Sequence, residues 1–582
     1  LKHLTSASPE RLDVWGFSDT EFRFNARGHV EVSGTRYPDL SGQELANLRP
    51  WLERVTGVSI PPDDQNHSHY PPAIEPSRAT PDLLDALRAI TSPEQVVDDA
   101  RIRLRRGHGH TQDEMFAVKY GQVSRVPDCV VFPESAAQVQ AIVELAVLRN
   151  ACLIPYGGGT SVTNALRCPE GETRSIISVD MGRMNRVVWI DRENRMACIE
   201  AGAVGRDIVA ALAAEGFTMG HEPDSIEFST LGGWIATHAS GMKKNRYGNI
   251  EELVLDVTAV TTSGRLERTA ALPRESTGID PRLLLFGSEG TLAIITSAVV
   301  KLFPLPEAQE YGSVLFKSFS QGLAFMRALS DAGNLPASVR LMDNLQFQLG
   351  MVLKPAKSGA AAIGSKLQKL LVTGLLGFDA DEMVACTLVF EGPRRQVKQQ
   401  QRDVYALAKG FGGMKGGAEN GKRGYQLTYG IAYIRDFIMK HWYLAESFET
   451  SVPWSKAAEL CARVKQTILD ECARRNIPGA PFISYRVTQL YDTGCVVYFY
   501  FAFHYKGVEN PSHVYHEIER AAREEVLRCG GSLSHHHGVG KLRQEFLPRI
   551  MSAASLHWIA ATKQAIDPND IFGAGNLRPG AS

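Results

Sequence analysis

The chain has 582 residues, enough for about two or three domains with sizeable cores. Its 63 Lys plus Arg nearly balance 64 Asp plus Glu, so no global field favours nucleic acid or an anionic membrane. The nine cysteines form no Cys-x-x-Cys pair and show no zinc spacing, which reads as free thiols in a reducing compartment.

In chain order, residues 1–90 read as an N-terminal extension, with a strand pair near residues 22–32 and a short helix near 42–55. Leu1 in place of Met predicts a processed or truncated start. His3-Leu4 match the last two positions of an Arg-Leu-x5-His-Leu peroxisomal address, a match that an ordinary N-terminus also gives. A linker rich in Pro, His and Asp covers 61–72. One helix and a charged segment at 101–110 are expected within 80–125, with His67, His69, His108 and His110 as solvated loop residues. A strand near Cys129-Val130-Val131 then leads into a helix over 135–149. That helix is apolar along Val139, Ile142, Val143, Ala146 and Val147, and Ser135 is its N-cap.

Three glycine-rich segments follow. The first is Pro155-Tyr156-Gly157-Gly158-Gly159-Thr160-Ser161. The second runs from Asp224-Ser225-Ile226-Glu227-Phe228-Ser229-Thr230 to Thr237-His238-Ala239-Ser240. The third is Glu289-Gly290-Thr291-Leu292-Ala293-Ile294-Ile295. Consecutive glycines let several backbone N–H groups turn toward one anion. Three such segments predict a cradle for a large phosphate-bearing cofactor. A Rossmann site, which Asp180 superficially suggests as a ribose-binding acid, needs an amphipathic helix opening from the loop. Residues 160–175 have no helical period. Strands are expected at 175–179, 187–190 and 196–199, read as paired with one another, then a helix over 204–217 and a strand and turn over 253–264.

From about residue 310, strands alternate with helices near 396–411, 455–475 and 512–529, which predicts an α/β cap whose sheet covers the cofactor. Residues 354–378 have two readings, a cap helix on its own core or an amphipathic element at a membrane or a greasy substrate tunnel. The longest strongly apolar run, residues 496–503, is far short of the ~20 residues needed to span a bilayer. Ser534-His535-His536-His537-Gly538-Val539-Gly540 is the strongest catalytic signal. Adjacent histidines cannot all face one way, so one or two can enter a site as donors, acceptors or bases. No spacing supplies further zinc ligands, so no metal is expected.

The glycine segments and the strand–helix opening resemble the vanillyl-alcohol oxidase family of flavoproteins. The resemblance implies an α+β fold with a two-subdomain FAD-binding region and an α/β cap, divided here as 1–90, 91–306, 307–560 and a C-terminal return at 561–582. Many relatives attach FAD through His or Cys near the first loop; Gly-Gly-Gly-Thr there implies non-covalent FAD. FAD-linked 2-hydroxyacid dehydrogenases of that superfamily carry Gly-Glu-His-Gly-Ile-Gly and a metal-site strand. Here His536 replaces the glutamate and the upstream strand is aromatic, Tyr498-Phe499-Tyr500-Phe501.

Trp15-Gly16, Arg36-Tyr37-Pro38, Met242-Lys243-Lys244-Asn245, residues 338–344, Gly424-Tyr425 and residues 431–436 instead resemble the alkylglycerone-phosphate synthase family. So do residues 446–451, Arg486-Val487-Thr488-Gln489 and the triple histidine. The resemblance implies exchange of the acyl chain of acyl-dihydroxyacetone phosphate for a long-chain fatty alcohol with no net redox change, in ether-lipid synthesis. Tyr498 matches the tyrosine that moves the C1 proton and Arg435 the phosphate-binding arginine. His221, Arg340, His535, His536 and His537 match further residues required for activity. A tyrosine, whose ordinary pKa is near ~10, needs a cationic or histidine neighbour to act as a base. The family also implies a homodimer at the lumenal membrane face of a peroxisome or related organelle, with no nucleic-acid partner. The alternatives are an FAD-dependent 2-hydroxyacid dehydrogenase or oxidase, and an inactive FAD-fold binding protein.

Overall fold

The structure is a computed structural model that describes residues 2–3, 10–37, 40–354 and 377–578. The amphipathic stretch at 355–376 lies outside the described residues, as do Leu4, Pro38 and the C-terminal Gly580-Ala581-Ser582. Among the described residues no helix is long and apolar enough to cross a membrane.

Helix Ala136–Arg149 begins where the Ser135 hydroxyl accepts from Gln138 N (3.2 Å), and it stops at Asn150 in the left-handed region. Val139, Ile142, Val143 and Ala146 are fully buried against a four-stranded sheet. Its order is Val96–Val97, Cys129–Val131, Ile176–Asp180, Cys152–Tyr156, and the last three strands are parallel. No helix separates Cys152–Tyr156 from Ile176–Asp180, so the chain makes a long glycine-rich loop where a Rossmann unit would place one. Asp180 is occupied elsewhere: its carboxylate accepts from Arg106 Nε (2.7 Å) and caps Gly182 N (2.8 Å). The expected pairing of three successive strands is corrected. Ile176–Asp180 joins the parallel sheet because its residues are buried on both faces, while Arg186–Asp191 pairs with Met196–Glu200 in a different, antiparallel sheet.

That second sheet has six strands, ordered Lys2–His3, Arg186–Asp191, Met196–Glu200, Ile294–Lys301, Val254–Thr261 and Gly264–Leu266. Helices Gly205–Ala214 and Leu231–Thr237 contribute Ile208, Leu212, Leu231 and Trp234 to its core. The tail returns to the first sheet: Leu153 N–H donates to Ile571 O (2.7 Å), and Ile571 and Phe572 are buried beside Val139 and Ile142.

The third sheet is antiparallel throughout. Its order is Met414–Lys415, Ala308–Phe316, Val384–Gly392, Ser338–Met342, Phe482–Tyr491, Gly494–His504, Tyr443–Pro453. Strand Gly494–His504 is paired along both edges, so its side chains alternate strictly between two environments. Val497, Phe499, Phe501 and Phe503 enter the large core, which also holds residues of helices Phe319–Asp331, Arg394–Gly410, Ala457–Arg474 and Pro511–Arg528. Tyr498 and Tyr500 point to the other face.

Two expectations for the N-terminal third are revised. Residues 80–125 hold three helices, Pro81–Ile90, Ala100–Arg105 and Gln112–Tyr120, because Asp99 and the Thr111/Glu114 capping box start two more. The sequence also hid helix Ala418–Lys440, 23 residues long, whose Tyr433 and Phe437 pack with Trp15, Leu48 and Trp51 of the N-terminal extension.

Candidate active site

One large cavity runs between the glycine segments and the free face of the third sheet. At one end it is lined by Pro155 through Ser161, by Asp224, Ser225, Ser229, Thr230, Thr237, Ala239 and Ser240, and by Glu289, Gly290, Ala293, Ile294 and Ile295. Gly159 has φ +67°, and a Cβ there would lie 2.0 Å from the Tyr156 hydroxyl. Among the described residues the N–H groups of Gly158, Gly159 and Thr160 meet no acceptor, so they remain available to an anion. Backbone donors on one wall with Trp234, Ile294 and Ile295 nearby fit a group that is both phosphorylated and aromatic.

At the centre, Tyr498 lies directly opposite Glu449 on one neighbouring strand and Arg486 on the other, so the three side chains share a face. The triple-histidine turn is laid over this row. Glu449, buried, accepts the N–H groups of His535 (2.6 Å), His536 (3.2 Å) and His537 (2.9 Å) and the Ser534 hydroxyl (2.7 Å). Glu289 holds the other end of the turn, accepting from Val539 N and Gly540 N at 2.6 Å each. Gly540 has φ +52°, and a Cβ there would meet Thr163 O at 2.1 Å.

Held this way, His536 Nε2 and His537 Nε2 lie 2.7 and 3.0 Å from the Tyr498 hydroxyl. His535 turns away to the Tyr491 hydroxyl (2.6 Å) and meets His536 through their Nδ1 atoms (2.8 Å). Burial pushes the Tyr498 phenol well above its usual range, and nearby Asp224 and Glu449 add to this. Burial also depresses all three imidazoles, His535 to about 3, so they stand neutral at neutral pH. For Glu449, burial alone would raise the carboxyl; the N–H groups and hydroxyl it accepts, with Arg543 nearby, outweigh it and hold the group ionised, well below its usual range. Glu449, His535 and His536 place potential ligand atoms within 4.8 Å of one another, the kind of cluster that can hold a metal. Both Glu449 oxygens already accept protein N–H or O–H groups, which leaves little for a cation.

On the far side of Tyr498 the cavity becomes apolar, lined by Phe24, Leu48, Trp51, Leu349, Phe437 and Phe482. Arg435 and His110 stand where the two ends meet. Arg435 Nη1 donates to His110 O (2.8 Å) and Glu446 (3.2 Å); its buried Nε and Nη2 have no hydrogen-bond partner among the described residues, though Nε lies 3.8 Å from Asp436.

The structure thus gathers Tyr498, His536, His537, Arg435 and most of the glycine-segment residues around one space, and sets the others apart from it. His221 is buried against the lining residue Trp234, at 4.7 Å between ring centroids, with neither ring nitrogen hydrogen-bonded among the described residues, and burial lowers its pKa to about 3. Arg340 is also off the cavity, 3.6 Å from Asp224. Among the expected cofactor residues, Ile226 belongs to the second sheet's core and His238 pairs with Glu251 (3.2 Å). Thr291 bonds Ser288 O, and Leu292 is off the cavity wall. Glu227 and Phe228 line a second recess behind Gly157 and Gly158, where Glu227 accepts from Tyr37 (2.6 Å). His108 and His110 are buried, not solvated, because His110 N–H donates to Ser161 O and draws this segment over the first glycine loop. Glu449, Arg486, Glu289's grip on the turn, Tyr491 and Glu446 were missed as parts of a site. Strand alternation flagged the face of Tyr498, but only the cross-strand register reveals its neighbours.

A family model described as an FAD binding domain matches residues 127–270, and one described as FAD linked oxidases, C-terminal domain, matches 305–577. A curated alkyldihydroxyacetonephosphate synthase of Caenorhabditis elegans is 44% identical, over 97% of this chain and 94% of its own length. The chain belongs to the alkyldihydroxyacetonephosphate synthase family. A solved structure of an alkyldihydroxyacetonephosphate synthase superposes with TM-score 0.84 at 29% identity, covering 97% of this chain and 98% of that one. A p-cresol methylhydroxylase structure shares the fold at TM-score 0.64 and 14% identity, over 86% of this chain and 98% of its own. FAD is the cofactor of this synthase-family chain. Gly157 through Ser161, Thr230 and Ser240 line the end of the cavity that would receive it.

Proposed function

We propose that this chain makes alkyl-dihydroxyacetone phosphate, exchanging the acyl group of acyl-dihydroxyacetone phosphate for a long-chain alcohol without net redox change. The supporting observation is a phenol bonded to two neutral imidazoles, set between a flavin cradle and an apolar arm. Bound FAD supplies an oxidised ring system that serves as an electron sink and ends the cycle oxidised. The FAD is held non-covalently. Tyr498 passes its proton to an imidazole and, as phenolate, takes the C1 proton beside the substrate ketone. Arg435, steered by Glu446, stands at the cavity to bind the phosphate, to which a planar guanidinium offers paired bonds. The apolar arm takes the hydrocarbon chain and excludes water from the C1 centre. A homodimer at a peroxisomal membrane surface fits substrates that reside in lipid.

The decisive test uses flavin-loaded protein under anaerobic conditions with palmitoyl-dihydroxyacetone phosphate and hexadecanol. Ether product and free palmitate are expected in equal amounts, with the flavin oxidised at the end. Stoichiometric flavin reduction without ether would replace this reading with a dehydrogenase. Sedimentation of the same preparation with lipid vesicles, and its mass in solution, check membrane contact and the dimer.

A further inference from the structure

The phenol of Tyr498 has one proton and two imidazole partners, so it donates to one and accepts from the other. Which is which is decided outside that trio. Each neutral imidazole carries one N–H, so a choice at any link propagates along the chain Tyr491, His535, His536, Tyr498, His537. At the far end His537 Nδ1 lies 3.7 Å from Glu449 Oε1 and has no other partner among the described residues. Glu449 accepts three backbone N–H groups and a hydroxyl, so it is a carboxylate with no proton to give. A bare nitrogen lone pair facing that anion is repelled; an N–H is attracted. His537 therefore carries its proton on Nδ1 and presents a bare Nε2 to Tyr498.

Every other link then follows. Tyr498 donates to His537, His536 donates Nε2–H to Tyr498, and His535 donates Nδ1–H to His536 Nδ1. Tyr491 donates to His535 Nε2. The last step agrees with an independent contact: Asn249 Nδ2 donates to the Tyr491 hydroxyl (3.2 Å), which leaves the tyrosine's own proton for His535.

We infer that Glu449 sets the direction of a hydrogen-bond chain from Tyr491 to Tyr498 and makes His537 the acceptor of the Tyr498 proton. In that step the Tyr498 O–H bond breaks and an Nε2–H bond forms on His537. The products are a phenolate, still receiving the His536 N–H, and an imidazolium beside Glu449. Reversal restores both groups, so no further reactant is consumed. Glu449 is a positioning residue: it acts through the turn it holds and the charge it presents. The role rests on the proposed proton removal, but the tautomers do not.

His537 is faced by Glu449, His536, Arg523 and Arg543, and Tyr498 by Asp224, Glu449, Tyr500 and Arg486. The test has two parts. Nitrogen-15 shifts of histidine-labelled native holoprotein, assigned by difference against His537→Gln, are expected to show His537 as the Nδ1–H tautomer and His536 as Nε2–H. His537 found as Nε2–H overturns the inference whatever the protein's activity. Glu449→Gln, with flavin retained, is expected to lower ether formation by about 10²–10⁴-fold, as wrong-tautomer variants of relay carboxylates do. Its acid limb should move to lower pH, since losing the anion makes His537 harder to protonate. Glu449→Asp, which keeps the charge, should return the limb toward the native position. A Glu449→Gln protein within about twofold of native activity would also overturn it. If that variant loses its flavin, the native tautomer decides. Absence of ether product with His537 as Nδ1–H would end the synthase reading and leave the chain direction supported.

Discussion

Tyr498 shows how a single side chain acquires a chemical role from its surroundings. Burial makes its proton hard to lose, and the two imidazoles offset this by accepting the proton and bonding the resulting anion. Tyr498→Phe removes one oxygen from a packed ring, so the fold and the flavin content should survive. The two imidazole nitrogens left without a partner would cost about 1–3 kcal/mol each. Ether formation should fall by at least about 10²-fold, measured against unchanged flavin absorbance per chain. The residue types of this centre were visible in the sequence, since Tyr498 and the triple histidine stand out by chemistry alone. Glu449 was not, because nothing local distinguishes it from any strand carboxylate.

At the scale of elements, the site depends on two turns held by backbone bonds. The triple-histidine segment is gripped by Glu449 at its start and Glu289 at its end, which is how adjacent histidines reach one phenol without a regular strand or helix. The first glycine loop depends on Gly159 at φ +67°, with the Tyr156 hydroxyl where a Cβ would go. Gly159→Ala should therefore yield protein that folds but loses most of its FAD, read as the flavin-to-protein absorbance ratio after gel filtration. The helix over 136–149, the helices near 396–411, 455–475 and 512–529, and the aromatic strand near 495–503 were legible because period and caps are local properties. Helix Ala418–Lys440 escaped notice because it packs on several sides and shows no single apolar stripe; tertiary contacts with the N-terminal extension stabilise it.

Across the whole molecule, the cavity wall is drawn from segments hundreds of residues apart: Trp15, the 155–161 loop, Arg435, Tyr498 and His537. A ligand bound there bridges the glycine-loop region and the third sheet, so it stabilises both at once. Stripping FAD should lower the melting temperature, and re-adding it at about 100 times its Kd should restore about 2.7 kcal/mol. A flavin-stripped protein melting at the native temperature would show that the cradle is not where FAD binds.

By itself the sequence determined the chemistry available: three glycine segments able to bind phosphate, an aromatic strand in place of a metal-site strand, and histidines next to one another. These depend on residue type and spacing, which chain order preserves. The tertiary structure alone decided which of those groups meet. It buried His108 and His110 over the loop, set His221 against Trp234 and Arg340 beside Asp224, and placed Glu449 and Arg486 on either side of Tyr498. Strand register and long-range packing make those choices, and both come from contacts between residues far apart in the chain.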